Sequence, residues 1–81
     1  MQTAYPAIIH EENGSFWVEF PDLEGCFSEG DTMADAIANA SDSLSGYLHS
    51  LMDRGIDIPA MSDIKKVKLK DGFITFIATS S

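Results

Sequence analysis

The sequence predicts an α+β domain in which an antiparallel β-sheet carries one long helix packed on one face. Three observations support this prediction. An Asn-Gly pair at positions 13 and 14 separates two strand-like segments, apolar residues recur at helical spacing within residues 32–54, and an uncharged run of β-forming residues occupies positions 73–78. The chain has 81 residues, of which 44% are hydrophobic, so it has the size and composition of one small globular domain.

The first two strands are predicted to form a hairpin. Residues 4–11 are rich in β-forming side chains, and Pro6 lies near the start, as an edge strand would tolerate. Asn13 and Gly14 favour a type I′ turn, because both central residues of that turn need positive φ. The second strand, residues 15–20, alternates between two faces and directs three apolar side chains to one of them: Phe16, Val18 and Phe20.

Residues 20–31 connect the hairpin to the helix and carry four carboxylates, two glycines and no basic residue. Pro21 lacks an amide hydrogen and is suited to ending the second strand. Gly25 and Gly30 can each adopt backbone conformations that are closed to other residues. A short third strand is predicted around residues 26–29.

The helix is predicted over residues 32–54. Thr32 can accept a hydrogen bond from free amides of the first turn, and Asp35 occupies the position of the reciprocal capping acid. Gly55 is suited to the C-terminal cap, and Pro59 prevents continuation. An apolar stripe at steps of three and four residues is formed by Met33, Ile37, Ala40, Leu44, Tyr47 or Leu48, and Leu51.

The residues after the helix predict either a last strand pair or one long strand. The first part contains Ile64, Val67 and Leu69, Asp71-Gly72 supplies a turn, and residues 73–78 supply the most strongly β-forming run. We found no internal repeat and no linker, so we expect a single domain over residues 1–81.

Charge is distributed unevenly along the chain, whose net charge is −8. Residues 1–63 contain twelve carboxylates and one base, Arg54, for a net −11, whereas residues 64–81 contain four lysines and Asp71, for a net +3. An acidic body repels nucleic acid and favours a basic protein partner, although solubility alone also explains an acidic surface.

The sequence contains no arrangement of residues typical of catalysis. His10 and His49 lie on different elements without a partner at a recognised nucleophile spacing, and Cys26 has no neighbouring base and suits a small, half-buried position. The loop acids lack the spacing of a calcium loop. We therefore expect no enzyme activity, no cofactor and no metal. The single cysteine and the absence of a signal peptide or an 18-residue apolar run favour a cytoplasmic protein without membrane association.

Trp17 is the strongest candidate for a contact residue. If Phe16, Val18 and Phe20 pack on the helix, Trp17 and Glu19 lie on the outer face of the sheet, with His10 and Glu11 nearby across the hairpin. An outward aromatic side chain beside acids is typical of a protein interface. The alternative is that a second sheet layer or a second copy of the chain covers Trp17. In a domain this small, such a cover amounts to dimerisation.

The order of residues resembles the HicB-like antitoxin family from Tyr5 through Ser62. The resemblance is carried by Tyr5-Pro6-Ala7, by Asn13-Gly14-Ser15-Phe16-Trp17-Val18-Glu19-Phe20-Pro21-Asp22-Leu23-Glu24-Gly25-Cys26, by Glu29-Gly30-Asp31-Thr32-Met33-Ala34-Asp35-Ala36 and by Gly55-Ile56-Asp57-Ile58-Pro59. It implies a β-β-β-α-β domain with a partial ribonuclease-H-like fold. It also implies an antitoxin that dimerises or assembles further and that occludes a small mRNA-cleaving toxin of the HicA type.

The resemblance suggests contacts for the toxin and leaves an alternative function open. We expect partner-binding residues at Trp17, Glu19, Asp22, Glu24 and Glu29. The loop acids serve first as turn and capping residues and second as contacts for the toxin. Longer family members carry a C-terminal DNA-binding module. We expect none within residues 1–81, either because it was removed or because it never existed, and therefore expect no direct nucleic-acid binding by this chain. The alternative is a solitary ribonuclease-H-like domain with a role linked to nucleic acids.

Overall fold

The computed structural model describes residues 3–80 and contains a four-stranded antiparallel sheet with the strand order β3-β2-β1-β4. The elements are β1 (Ala4–Glu12), β2 (Ser15–Glu19), β3 (Phe27–Gly30), α1 (Met33–Asp53), a short 3-10 turn (Ile64–Lys66) and β4 (Phe73–Ala78). The α+β class and the β-β-β-α-β order are both confirmed.

The β1–β2 hairpin has the predicted turn, with φ of 53° at Asn13 and 81° at Gly14. The expectation of an edge strand for β1 was wrong, because β1 lies between β2 and β4. Pro6 is nevertheless accommodated. Pairing of β1 with β2 begins only at Ile8, so the missing amide hydrogen of Pro6 leaves no gap in that ladder.

Helix α1 begins and ends with the predicted capping groups. The Thr32 hydroxyl accepts a hydrogen bond from the Asp35 amide at 3.1 Å. At the other end Gly55 has a φ of 70° and donates to the Met52 carbonyl, while the Ile56 amide donates to the Leu51 carbonyl. These two bonds are those of a Schellman motif, which satisfies the last carbonyls of a helix.

The core lies between α1 and one face of the sheet. The helix contributes Ala36, Ala40, Leu44, Leu48 and Leu51, and the sheet contributes Tyr5, Ala7, Ile9, Val18, Phe20 and Ile77. Two side chains of the loop between β2 and β3, Leu23 and Cys26, are buried with them. Met33 was wrongly placed on the apolar stripe: its side chain is exposed, and Ala36 is the first buried helical residue.

The two loop glycines serve different purposes. Gly25 has a φ of 82°, as the sequence predicts, but Gly30 does not have a positive φ. A Cβ atom on Gly30 would lie 2.5 Å from the amide nitrogen of Ala36, so Gly30 is required by the close approach of β3 to the first turn of α1.

Residues 64–69 do not form the predicted strand. The Asp63 side chain accepts a hydrogen bond from the Lys65 amide at 3.0 Å, and the Val67 amide donates to the Ile64 carbonyl, which closes a 3-10 turn. Local capping of this kind competes with strand pairing. Only the run Phe73–Ala78 pairs with the sheet, along β1.

Cys26 is 4% exposed, and burial raises the pKa of its thiol from an ordinary value of 9.0 to about 11. Below about pH 9 the Cys26 thiol keeps its proton in both the folded and the unfolded chain. Between about pH 9 and pH 11 the thiol loses its proton only in the unfolded chain. The contribution of Cys26 to the free energy of unfolding is therefore complete below pH 9 and falls as the pH rises toward 11.

We expect the difference in free energy of unfolding between the wild type and Cys26→Ala to shrink as the pH rises through this window. Urea unfolding at about pH 8 and about pH 10.5 measures that difference directly. A difference that stays constant across both pH values would show that the Cys26 thiol titrates alike in the folded and unfolded states.

Candidate partner-binding surface

Trp17 lies on the face of the sheet opposite to α1, as the sequence predicts. In the strand register Trp17 is opposite His10 on β1 and Glu29 on β3, and Glu19 is opposite Phe27 on β3. Residues directly opposite each other in a sheet share a face. We call the surface formed by Trp17, Glu19, Phe27, Glu29 and His10 the Trp17 face.

His10 holds Trp17 in one orientation. The two rings are stacked with centroids 4.1 Å apart and planes inclined by 15°. The Nε2 atom of His10 lies 2.7 Å from an oxygen of Glu19, and its Nδ1 atom lies 3.0 Å from an oxygen of Asp71. Each ring nitrogen of His10 thus lies within hydrogen-bond distance of one carboxylate, which fixes the orientation of the ring. Through these contacts, the His10 side chain connects β1 to β2 and to the turn that precedes β4.

The Trp17 face combines exposed apolar area with carboxylates. Phe27 is 61% exposed and Glu29 is also exposed, whereas Trp17 is half-buried. An open cleft of about 790 Å³ lies over this region, and its lining includes Glu12, Trp17, Phe27 and Glu29. Aromatic rings beside acids suit a partner that presents arginine or lysine next to apolar side chains.

Asp22 and Glu24 lie apart from the Trp17 face. The Asp22 carboxylate accepts hydrogen bonds from the amide of Ser62, at 2.8 Å, and from the Ser62 hydroxyl. Burial, with a smaller contribution from the charge of Asp22, raises the pKa of Tyr5. Glu24 is exposed, and its backbone carbonyl accepts a hydrogen bond from the Tyr47 hydroxyl at 2.9 Å. The two hydrogen bonds between Asp22 and Ser62 therefore hold the segment after the helix against this loop.

The structure adds the organising role of His10 and the exposure of Phe27 to the predicted surface, and it corrects the expected position of Glu11. His10 is the organising residue of the Trp17 face, and its position opposite Trp17 follows from the register of an Asn13-Gly14 turn. Phe27 is the most exposed large apolar residue on it, but the register of β3 had no sequence signal. Glu11, expected beside Trp17, lies instead opposite Phe16 and so shares the other face of the sheet.

Within residues 3–80 no three His, Cys, Asp or Glu side chains converge to hold a metal ion. The buried Cys26 thiol has its pKa raised, which opposes formation of the reactive thiolate. No helix in this part of the chain has the length and apolar content needed to cross a membrane.

One protein family and several known proteins have sequences similar to this chain. Residues 5–79 match the family described as the HicB_like antitoxin of bacterial toxin-antitoxin system. An uncharacterized 14.9 kDa protein of Haemophilus phage HP1 is 31% identical over 75 residues, which cover 93% of this chain and 56% of the phage protein. A UPF0150 protein of Thermoplasma acidophilum is 35% identical over 52 residues, which cover 64% of this chain and 75% of that protein. The chain thus spans little more than half of the phage relative.

Solved structures share the fold. A toxin-antitoxin complex from Streptococcus pneumoniae contains a chain that superposes with a TM-score of 0.90 at 22% identity, over 99% of this chain and 70% of that one. The N-terminal domain of Burkholderia pseudomallei antitoxin HicB superposes with a TM-score of 0.74 at 24% identity, over 98% of both chains. A chain of the HicA3 and HicB3 toxin-antitoxin complex superposes with a TM-score of 0.70 at 29% identity, over 96% of both. With the family match over residues 5–79, the conclusion is that this chain belongs to the HicB-like antitoxins of bacterial toxin-antitoxin systems.

Proposed function

We propose that this antitoxin binds and occludes a small, basic, mRNA-cleaving toxin of the HicA type, as one half of a type II pair. The family match and the likeness to a chain of the HicA3 and HicB3 complex support the class of partner. The Trp17 face supports the place of binding, because exposed Phe27 lies beside Glu29 and the half-buried Trp17. This juxtaposition of aromatic rings and acids is the observation that carries the proposal.

Charge supports a basic partner. An excess of eleven negative charges over residues 1–63 attracts a basic surface and accelerates its association, an effect that weakens as salt is added. The same charge opposes contact with RNA, so the chain inhibits the toxin by covering its RNA-binding surface and does not bind RNA itself.

The five candidate contact residues divide into two groups in this proposal. Trp17, Glu19 and Glu29 contact the toxin on the Trp17 face. Asp22 and Glu24 contribute from the loop between β2 and β3, apart from the Trp17 face, where the carboxylate of Asp22 also accepts hydrogen bonds from Ser62. The proposal further includes a single domain, a cytoplasmic location and self-association of the antitoxin.

Inhibition of RNA cleavage tests the proposal. The HicA-type toxin that the proposal predicts to be encoded beside this chain is incubated with a fluorescent RNA, and the antitoxin is titrated into the reaction. We expect cleavage to fall in proportion to added antitoxin and to stop near one antitoxin chain per toxin. Cleavage that continues with excess antitoxin would contradict the proposal. RNA hydrolysis by the antitoxin alone, dependent on divalent metal, would support the ribonuclease-H-like alternative instead.

A further inference from the structure

Strand β4 forms one edge of the sheet, and its sequence does nothing to protect that edge. The strand reads Phe-Ile-Thr-Phe-Ile-Ala over six residues and contains no charge and no proline. The opposite edge strand, β3, is shorter and carries Glu29 and Gly30. Proteins usually protect edge strands by shortness, charge, proline or bulges, because an open edge pairs with other strands. Only β3 follows that rule.

The register of β4 identifies the peptide groups that face the open side. The Thr79 amide donates to the Thr3 carbonyl at 2.8 Å, and Ile77 is opposite Tyr5 in the same ladder. Peptide groups of alternate residues point to the same side of a strand. The odd-numbered residues of β4 therefore bond to β1, and the peptide groups of Ile74, Phe76 and Ala78 point away from it.

Helix α1 covers one end of this edge. The Ser41 hydroxyl donates to the Ala78 carbonyl at 2.6 Å, and the Ser45 hydroxyl accepts from the Ser80 amide at 2.8 Å. These two serines protect the edge beyond Phe76. The open part of the edge is thus centred on Thr75, with Ile74 and Phe76 on either side.

We propose that β4 pairs antiparallel with β4 of a second copy of this chain, around a twofold axis at Thr75. In this register Ile74 of each copy exchanges both backbone hydrogen bonds with Phe76 of the other. The side chains then match: Phe76, 46% exposed, packs on the half-buried Ile74 of the other copy. Aromatic side chains opposite β-branched ones, and threonine opposite threonine at the axis, are favourable cross-strand pairs.

Charge complementarity favours a second copy as the occupant. The segment before β4 carries four exposed lysines: Lys65, Lys66, Lys68 and Lys70. Antiparallel pairing places the beginning of one β4 beside the end of the other, and at that end Ser41 brings helix α1 with its exposed neighbour Asp42. Each basic segment therefore approaches the acidic helix of the other copy. Self-association also buries apolar area that a domain of this size lacks.

The β4 interface and the Trp17 face involve different strands, and Phe73 and Trp17 line one cleft between them. The cleft of about 790 Å³ lies over β2 and β3, at the other edge of the sheet. Pairing at β4 leaves that cleft open, so a dimer can present two Trp17 faces. The inference specifies the self-association proposed above and does not depend on toxin binding.

Sedimentation of the isolated chain over a range of concentrations tests the inference. We expect the wild type to form a dimer and Phe76→Lys to raise the dimer dissociation constant by about tenfold or more, since a charge at an open edge opposes pairing. Met52→Lys is the matched control, because Met52 is 43% exposed at the far end of α1. It should dimerise as the wild type does, and circular dichroism checks that both variants fold.

Amide hydrogen exchange of the wild type provides a second test that needs no variant. We expect the amides of Ile74 and Phe76 to be protected in concentrated samples and to exchange rapidly on dilution. A chain that remains monomeric at its highest soluble concentration would overturn the inference, as would a dimer that Phe76→Lys leaves intact. Protection of these two amides only when toxin is added would assign the edge to the toxin and also overturn it.

Discussion

Replacing Gly30 by alanine is expected to destabilise the domain by about 3 kcal/mol, the upper part of the range for overpacked sites. The new Cβ would lie 2.5 Å from the amide nitrogen of Ala36 and 2.9 Å from its Cα. Both are backbone atoms of the first turn of α1, so no side-chain rotation relieves the clash. The helix and β3 have to separate, and Ala36 loses its buried position.

Gly46→Ala is the matched control for this substitution. Gly46 lies in the middle of α1, and a Cβ atom there meets no atom within 4 Å. Alanine favours the helix over glycine, so we expect a gain of roughly 0.5–1 kcal/mol. Urea unfolding followed by circular dichroism measures both variants. Equal stabilities for Gly30→Ala and the wild type would show that β3 and α1 are not packed as closely as described.

Trp17→Ala is expected to weaken toxin binding by about 30-fold, which corresponds to a loss of roughly 2 kcal/mol at an interface hot spot. The substitution removes the aromatic centre of the Trp17 face and the stacking partner of His10. The core lies on the other face of the sheet, so the chain should remain folded. Calorimetric titration with the toxin measures the affinity, and circular dichroism checks the fold.

Two controls accompany Trp17→Ala. Trp17→Phe keeps an aromatic ring on the sheet and should recover much of the affinity, whereas Met52→Lys changes an exposed apolar residue outside the Trp17 face and should bind as the wild type does. Unchanged affinity in Trp17→Ala would exclude Trp17 as a contact. Complete unfolding of that variant would mean that Trp17 supports the core.

The local elements were predictable because each depends on residues close together in sequence. Asn13 and Gly14 determine the hairpin turn, and this turn sets the register that places His10 opposite Trp17. Thr32 and Gly55 mark the ends of the helix for the same reason. The outward orientation of Trp17 followed from the alternation of the second strand alone.

The features that were missed depend on contacts between distant segments. The interior position of β1 arises from pairing with β4, more than sixty residues away. The role of Asp22 comes from Ser62, which no local pattern connects to it. The need for Gly30 is set by the distance of closest approach between β3 and α1, whereas a sequence signals only that glycine permits unusual backbone angles. The register of β3, and therefore the position of Phe27, also depends on that packing.

Chemical-shift mapping of the antitoxin with its toxin locates the surface that the toxin covers. Backbone amides of the isotopically labelled chain are followed by NMR while unlabelled toxin is added. We expect the largest chemical-shift changes at Trp17, Glu19, Phe27 and Glu29, with smaller ones in the loop at residues 22–24. Changes confined to the exposed side of α1, with the amides of the Trp17 face unaffected, would contradict this expectation.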